Sequence, residues 1–417
     1  DPTPESYTLS GIIRNATEGS ADYGKAVEGV TVTRKASDGT VIDSAVTDAT
    51  GTFSFAFTRE KGDYIFVLSK AGFQTFTTAA MTIHQTSPSL GAFVIYEEET
   101  EAEIIASGTC GDNLTWTLDD AGTLTISGEG AMRSFYSYDD QPWYKKQTLI
   151  RKIVLTKGVT SIGDNAFQSP RSNSSNLIAV SIPDSVTSIG NYAFDGCSIL
   201  TAVSIPDSVT NIGKMCFYGC SSLIEVSISN NVTTIAEHTF DGCSNLTTAA
   251  IPDGVTTIDY AAFAGCSSLT TISIPDSVTT IGNSAFAGCS SLTTISIPDS
   301  VTTIGNSTFA GCSSLTAVSI PNGVSSIGKS TFTNCSNLTA VFIPDSITSI
   351  GDSAFLGCSS LTTVSIPNSV ANIGSDAFFG CSSLTTVSIP DSITSLPSWS
   401  FANCPSLTSV YFYGNTP

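Results

Sequence analysis

Histidine is nearly missing from this chain. His84 and His238 are the only two in 417 residues, and they lie in segments of different character. A histidine-ligated metal or a histidine-based catalytic dyad is therefore not expected. No G-x-S-x-G, H-E-x-x-H or Walker loop occurs, and carboxylates are dispersed, so an enzyme is not expected either. No cofactor is implied. Basic residues are also scarce, with 16 Lys and Arg against 36 Asp and Glu. That balance forms no basic patch and argues against nucleic-acid binding and anionic-membrane docking. No apolar run approaches the roughly 18 residues a membrane span requires. Charged residues make up only 12% of the chain while 41% is hydrophobic. Solubility must then rest on Ser, Thr, Asn and Asp. The chain opens on Asp1 and Pro2 rather than Met. This reads as the start left after a removed signal, with a lipid anchor on the removed region as a possible attachment.

Cysteine is present, and it keeps time. Cys197, Cys220, Cys243, Cys266, Cys289, Cys312, Cys335, Cys358, Cys381 and Cys404 follow one another at intervals of 23 residues. Phenylalanine keeps the same interval from Phe194 to Phe401, and Phe167 adds one more unit before a four-residue insertion at Pro170 to Asn173. A fixed period of this size marks a solenoid, here of eleven rungs. Leu269 to Ser291 and Leu292 to Ser314 differ only at Ala285 versus Thr308. Copies so alike point to recent duplication.

One rung reads LTTISIPDSVTTIGNSTFAGCSS, from Leu292 to Ser314. Leu292, Ile295 and Ile297 predict a first strand that Pro298 ends. Val301 to Ile304 predict a second extended segment, Gly305-Asn306 a turn, and Phe309 with Cys312 a short helical turn pointing inward. Such a rung cannot bury its apolar set alone, but its neighbours can. Equivalent cysteines would then stack about 4.8 Å apart with parallel Cβ vectors. That geometry suits a disulfide poorly. Free, buried thiols are the expectation, with pairing or a metal column as the competing readings.

Upstream, residues 7–96 alternate as short strands, most clearly in Phe53-Ser54-Phe55-Ala56-Phe57. Seven strands are predicted: Tyr7 to Ile13, Val30 to Lys35, Val41 to Val46, Thr52 to Phe57, Tyr64 to Ser69, Phe73 to Thr77 and Leu90 to Tyr96. Asp38-Gly39, Asp48 to Gly51 and Gly62-Asp63 supply the turns. A β-sandwich follows. Residues 1–6 read as a leader, 97–103 as an acidic linker, 104–150 as the cap a solenoid needs over its first rung, and 151–417 as the solenoid. Trp116, Trp143 and Tyr144 give the cap its bulk. The fold class is thus mainly β: an N-terminal sandwich, then a capped solenoid.

Two resemblances sharpen this reading. Ala26-Val27-Glu28-Gly29-Val30-Thr31-Val32, Thr47 to Phe53 and Lys70-Ala71-Gly72-Phe73 resemble the carboxypeptidase regulatory-like family, a transthyretin-type sandwich. The resemblance implies a non-catalytic spacer or stalk on an exported protein. The string Ile274-Pro275-Asp276-Ser277-Val278-Thr279-Thr280-Ile281-Gly282, continuing through Ala285-Phe286 to Gly288-Cys289, resembles the Treponema-type, BspA-like leucine-rich repeat. Gly108-Thr109-Cys110-Gly111 and Pro142-Trp143-Tyr144 resemble the segment that leads such repeats. This resemblance implies an extracellular, surface-anchored bacterial protein, some members being adhesins for host proteins.

Three features carry the functional expectation. The outward residues of the first strand form a flat, weakly charged face, as at Thr271, Ser273, Thr294 and Ser296. Glu225, Phe342 and Tyr411 break its pattern, the last two replacing Ser. These seven residues are the candidate ligand face. Its partner would be a host or bacterial surface macromolecule, protein before glycan; a structural spacer without a ligand is the alternative. Asp184, Asp207, Asp253, Asp276, Asp299, Asp345 and Asp391 form a column expected to cap its own turns, with Ca²⁺ binding as the competing reading. The Asp-Ser-Val triplet also resembles a bacterial O-glycosylation signal. His238 is expected to be solvated.

Overall fold

A computed structural model of the chain describes residues 7–16, 23–57, 61–84, 89–95, 102–170 and 175–413. The leader, the linker residues 97–101 and most of the insertion at 171–174 lie outside these. The chain divides into two compact units, 1–103 and 104–417.

The described residues of the first unit form eight strands: β1 (Tyr7–Asn15), β2 (Thr31–Ala36), β3 (Val41–Val46), β4 (Thr52–Phe57), β5 (Lys61–Ser69), β6 (Phe76–Thr77), β7 (Met81–His84) and β8 (Ser89–Ile95). One sheet runs β4-β1-β8 and the other β3-β2-β5, with β6 and β7 both paired to β5. The predicted strand Phe73 to Thr77 shrinks to two residues, and β7 was not foreseen. Met81-Thr82-Ile83-His84 alternates over only four residues, and pairing with β5 extends it as a strand. Inward residues of both sheets meet in one core. Phe53 packs on Phe93, and Phe66 packs on both Phe55 and Phe93. Asp48 closes the β3–β4 turn by accepting from Thr50 and Thr52 backbone N–H at 2.8 and 3.0 Å.

The second unit begins with antiparallel β9 (Ile104–Thr109), β10 (Leu114–Asp119) and β11 (Thr123–Gly128). β11 pairs in parallel with the strand Lys152–Leu155, so this antiparallel start runs directly into the parallel sheet of the rungs. Seven first strands then stack in parallel and in register from Ala202–Ser204 to Ala340–Phe342. Three more follow at Thr363–Ser365, Thr386–Ile389 and Ser409–Phe412. A second ladder of two-residue strands, such as Thr280–Ile281 on Thr303–Ile304, lines the next side of the coil.

Aromatic rings form the axis of the core. Trp143 stacks on Phe167 at 5.5 Å between centroids, and the Phe that recurs once per rung stacks on that of the rung before it, down to Phe401 on Phe378 at 5.1 Å. Mid-stack pairs lie nearly coplanar in orientation, as for Phe286 and Phe309, 2° apart. Phe135 and Trp116 meet Trp143 edge-on and cover the first ring.

The segment holding Phe and Cys is not helical. It is a pair of tight turns, each with a left-handed residue: Ser284 at φ 56° and Gly288 at φ 75° in one rung. Such residues interrupt a helix. Asn334 and Asn403 take the Gly position in two rungs, at φ 59° and 55°. Asn is among the few non-glycine residues that enter this region readily.

Side chains bind each rung to the last, and this explains the composition. Ser290 Oγ donates to Ser267 O at 3.3 Å, Thr293 Oγ1 to Thr270 O at 3.4 Å and Thr302 Oγ1 to Thr279 O at 3.4 Å. Ser300 Oγ donates to Val278 O at 2.8 Å, and Cys312 Sγ to Phe286 O at 3.2 Å. Each contact recurs at the 23-residue interval. Short hydroxyls and thiols therefore do work between rungs that long charged side chains could not do at this spacing.

Candidate binding face

Strand alternation sets the face. Ile272 and Ile295 point into the core while Thr271, Ser273, Thr294 and Ser296 point out and are exposed. Register aligns them. Glu225 opposes Thr248, which opposes Thr271, which opposes Thr294. Ser319 opposes Phe342, and Ser388 opposes Tyr411. Phe342 is 63% exposed and Tyr411 55%. They stand in one column three rungs apart, about 14 Å at ordinary strand spacing. Phe342 is thus not covered by its neighbours on the sheet. Phe412 and Tyr413 beside Tyr411 are exposed as well, as is Trp399. They were not singled out from the sequence, because the last rung keeps the spacing of its predecessors while having no described successor to cover it.

One rung departs from the rest, and reading the rungs against one another reveals it. In Leu223 to Asn245, Ile224 precedes and Glu225 opens the first strand, Ser229-Asn230-Asn231 replaces Pro-Asp-Ser, and Ala236 replaces Gly. The glycine of this column lies against the preceding rung: a Cβ on Gly213 would sit 2.5 Å from Asn191 N. Ala236 puts a methyl at this position, and Asp259 of the next rung puts a longer side chain there. The second ladder is interrupted between Asn211–Ile212 and Thr234–Ile235, and again between Thr303–Ile304 and Ser326–Ile327.

His238 belongs to this rung and is not solvated. Its side chain is 16% exposed, and Nδ1 lies 2.7 Å from Asp241 Oδ2. Tyr260 packs edge-on against it at 4.8 Å and Tyr218 at 6.1 Å. The sequence placed it on a variable position, but its neighbours across the rungs happen to be aromatic. Lys214 and Glu237 pair beside it at 2.7 Å.

The Asp column does not cap its own turns. Val278 N–H donates to Pro275 O and Val301 N–H to Pro298 O, each at 3.0 Å, so backbone atoms close the turn. The following Ser hydroxyl bonds the preceding rung, as Ser277 Oγ does to Val255 O at 2.6 Å. That contact accounts for the Asp-Ser-Val triplet, and a glycan on Ser277 would break it. Among the described residues no group of three or more His, Cys, Asp or Glu converges to hold a metal.

All twelve cysteines are free, and all but Cys404 are buried. Burial disfavours the thiolate and pushes Cys197, Cys335 and Cys381 up to about 12 and Cys110 to about 11. The others rise for the same reason. These thiols are structural hydrophobes with a weak donor, not nucleophiles.

A parallel ladder with a 23-residue rung, inward Leu, Ile, Phe and Cys and a flat outward strand face defines a leucine-rich-repeat solenoid. Residues 140–270, 256–360 and 325–416 match the BspA type leucine rich repeat region, in six copies, and the chain belongs to that family. Residues 8–93 match the carboxypeptidase regulatory-like domain. A leucine-rich repeat protein from Bacteroides ovatus is 28% identical, with a TM-score of 0.50 over 72% of this chain and 93% of its own. A leucine rich cell surface protein from Faecalibacterium prausnitzii is 30% identical, with a TM-score of 0.47 over 75% of this chain and 96% of its own. No curated protein matches the chain at a significant level. Among the described residues no helix is long and apolar enough to cross a membrane.

Proposed function

We propose that the protein is a non-enzymatic, adhesin-like component of a bacterial cell surface whose first-strand face recognises a protein. One observation carries this reading. Phe342 stands 63% exposed in a column otherwise filled by small residues, with Tyr411 in the same column. Aromatic side chains are over-represented among residues that dominate binding energy. Glu225, Thr271, Ser273, Thr294 and Ser296 form the flat surround. The N-terminal sandwich serves as a stalk, and a lipid anchor preceding residue 1 would attach it.

A structural spacer without a ligand is the second reading. The near-identity of Leu269 to Ser291 and Leu292 to Ser314 favours it, because repeated rungs present repeated surfaces. An array of extracellular-matrix, serum and bacterial surface proteins, with glycans alongside, separates the two. The adhesin reading expects saturable binding to a protein by the full chain. Glycan binding alone, or none, would refute it.

A further inference from the structure

The repeat provides its own reference, and the fourth rung departs from it at one turn. Most rungs carry Pro-Asp-Ser after the first strand; here the residues are Ser229, Asn230 and Asn231. The loss of proline leaves a gap in the column between Pro206 and Pro252. Ser229 is buried instead, its hydroxyl donating to Val209 O. Asn230 and Asn231 turn toward the third rung. Asn230 N–H donates to Asp207 Oδ1 at 2.9 Å, and Asn231 Nδ2 to Asp207 O at 2.7 Å. An open groove of about 730 Å³ spans the three rungs. Ile228 and Ile251 lie along it, Pro206 and Pro252 flank it, and Asp207 and Asp253 bring two carboxylates to it. It adjoins the binding face through Ser204 and Ser227, and Ser227 shares its strand side with Glu225.

We propose that this groove receives an arginine side chain of a protein partner. The inference rests on the reading of the strand face as a protein-recognition surface and names the chemistry of one contact on it. No Lys or Arg lines the groove, so a cation entering it meets no like charge. Hydrogen bonds from Asn230 hold the Asp207 carboxyl below its usual range, which keeps it ionised. Asn230 Nδ2 also donates to Asp207 Oδ2 at 3.3 Å, and a carboxylate has lone pairs to spare after accepting these two bonds. Asp253 is exposed and accepts no hydrogen bond among the described residues. Ile228 and Ile251 are buried, and Pro206 with the exposed Ala250 supplies apolar surface for the methylene stem of a long basic side chain. Arginine fits better than lysine because its planar fork pairs with carboxylates in two-point fashion and is the more weakly hydrated head.

Titration of the deuterated, ¹⁵N-labelled full chain with N-acetylarginine methylamide, followed by TROSY spectra, tests this. The backbone amides of Ser227, Asn230 and Gly254 should shift and saturate along one isotherm. N-acetylcitrulline methylamide, the neutral isostere, should leave them in place, and the lysine analogue should bind several-fold more weakly. Asp253→Asn should weaken arginine about tenfold, the loss expected with a charge-assisted bond. Asp253 makes no described hydrogen bond, so that variant keeps the fold; superposition of all remote peaks verifies it. Equal shifts at the regular turns of Asp276 and Asp299, equal shifts with citrulline, lysine binding as tightly as arginine, or saturation by calcium chloride at lower concentration than by arginine would each overturn the proposal. The probe needs no natural ligand. A protein found on the array that binds wild type and Asp253→Asn equally would remove the groove and leave the face; arginine binding with an empty array would do the reverse.

Discussion

At the scale of single residues, the thiols make the sharpest prediction. Unfolded cysteine ionises near pH 8.5, whereas the buried column is pushed to about 12 at Cys197, Cys335 and Cys381. A folded pKa above the unfolded one means stability is complete below the unfolded value and is lost as pH rises toward the folded one. The eleven buried thiols all withdraw stability as pH rises through that window. The urea midpoint should therefore hold between pH 6 and 8 and fall steeply from pH 8 to 9.5; a flat profile would contradict the burial. Native thiol titration should reach little beyond Cys404, and denatured protein should yield all twelve without reductant. Backbone conformation gives a second test. Asn334 sits at φ 59°, so Asn334→Ala should cost about 1 kcal/mol while Asn334→Gly should not, read from chemical denaturation.

At the scale of the element, the rung is held by its aromatic stack and its close glycine. Phe286→Ala in mid-stack should cost about 3–5 kcal/mol, and Phe401→Ala less, because only one ring faces it. Gly305→Ala should also destabilise, by about 1–3 kcal/mol, since its Cβ would lie 2.4 Å from Asn283 N. Differential scanning calorimetry of the three variants ranks them. Much of this element was legible beforehand: the 23-residue interval gives the rung, and alternation around Ile295 gives the face. The apolar spacing of three in the Phe–Cys segment predicts a helical turn, whereas φ near +55° at Ser284 is not written in any residue preference. Asp in this position predicts a turn cap, yet in the Pro-Asp turns the valine N–H at the end already satisfies the proline carbonyl, as for Val278 and Pro275. Serine, threonine and cysteine contacts across rungs stayed hidden because they join residues 22 to 26 apart that only stacking brings together. His238 was misplaced for the same reason, its partners Tyr218 and Tyr260 lying on neighbouring rungs.

At the scale of the molecule, stability and recognition are separable. Each rung touches its neighbours, so solenoid stability accumulates from interfaces. The face contributes almost nothing to it, because its side chains point away from the stack. Residues 1–103 hold their own core of Leu9, Phe53, Phe66 and Ile95, and a fragment of that span should give dispersed amide signals by NMR. Recognition should then concentrate at the few large outward residues. Phe342→Ser restores the side chain found at Ser319 and Ser365 and should change stability by no more than about 0.5 kcal/mol. The most direct test is the affinity of wild type and Phe342→Ser for the strongest protein ligand on the array, measured by biolayer interferometry. The account predicts a dissociation constant at least about 30-fold higher for the variant, corresponding to about 2 kcal/mol, with an unchanged melting temperature. Equal affinity of the two proteins would contradict it.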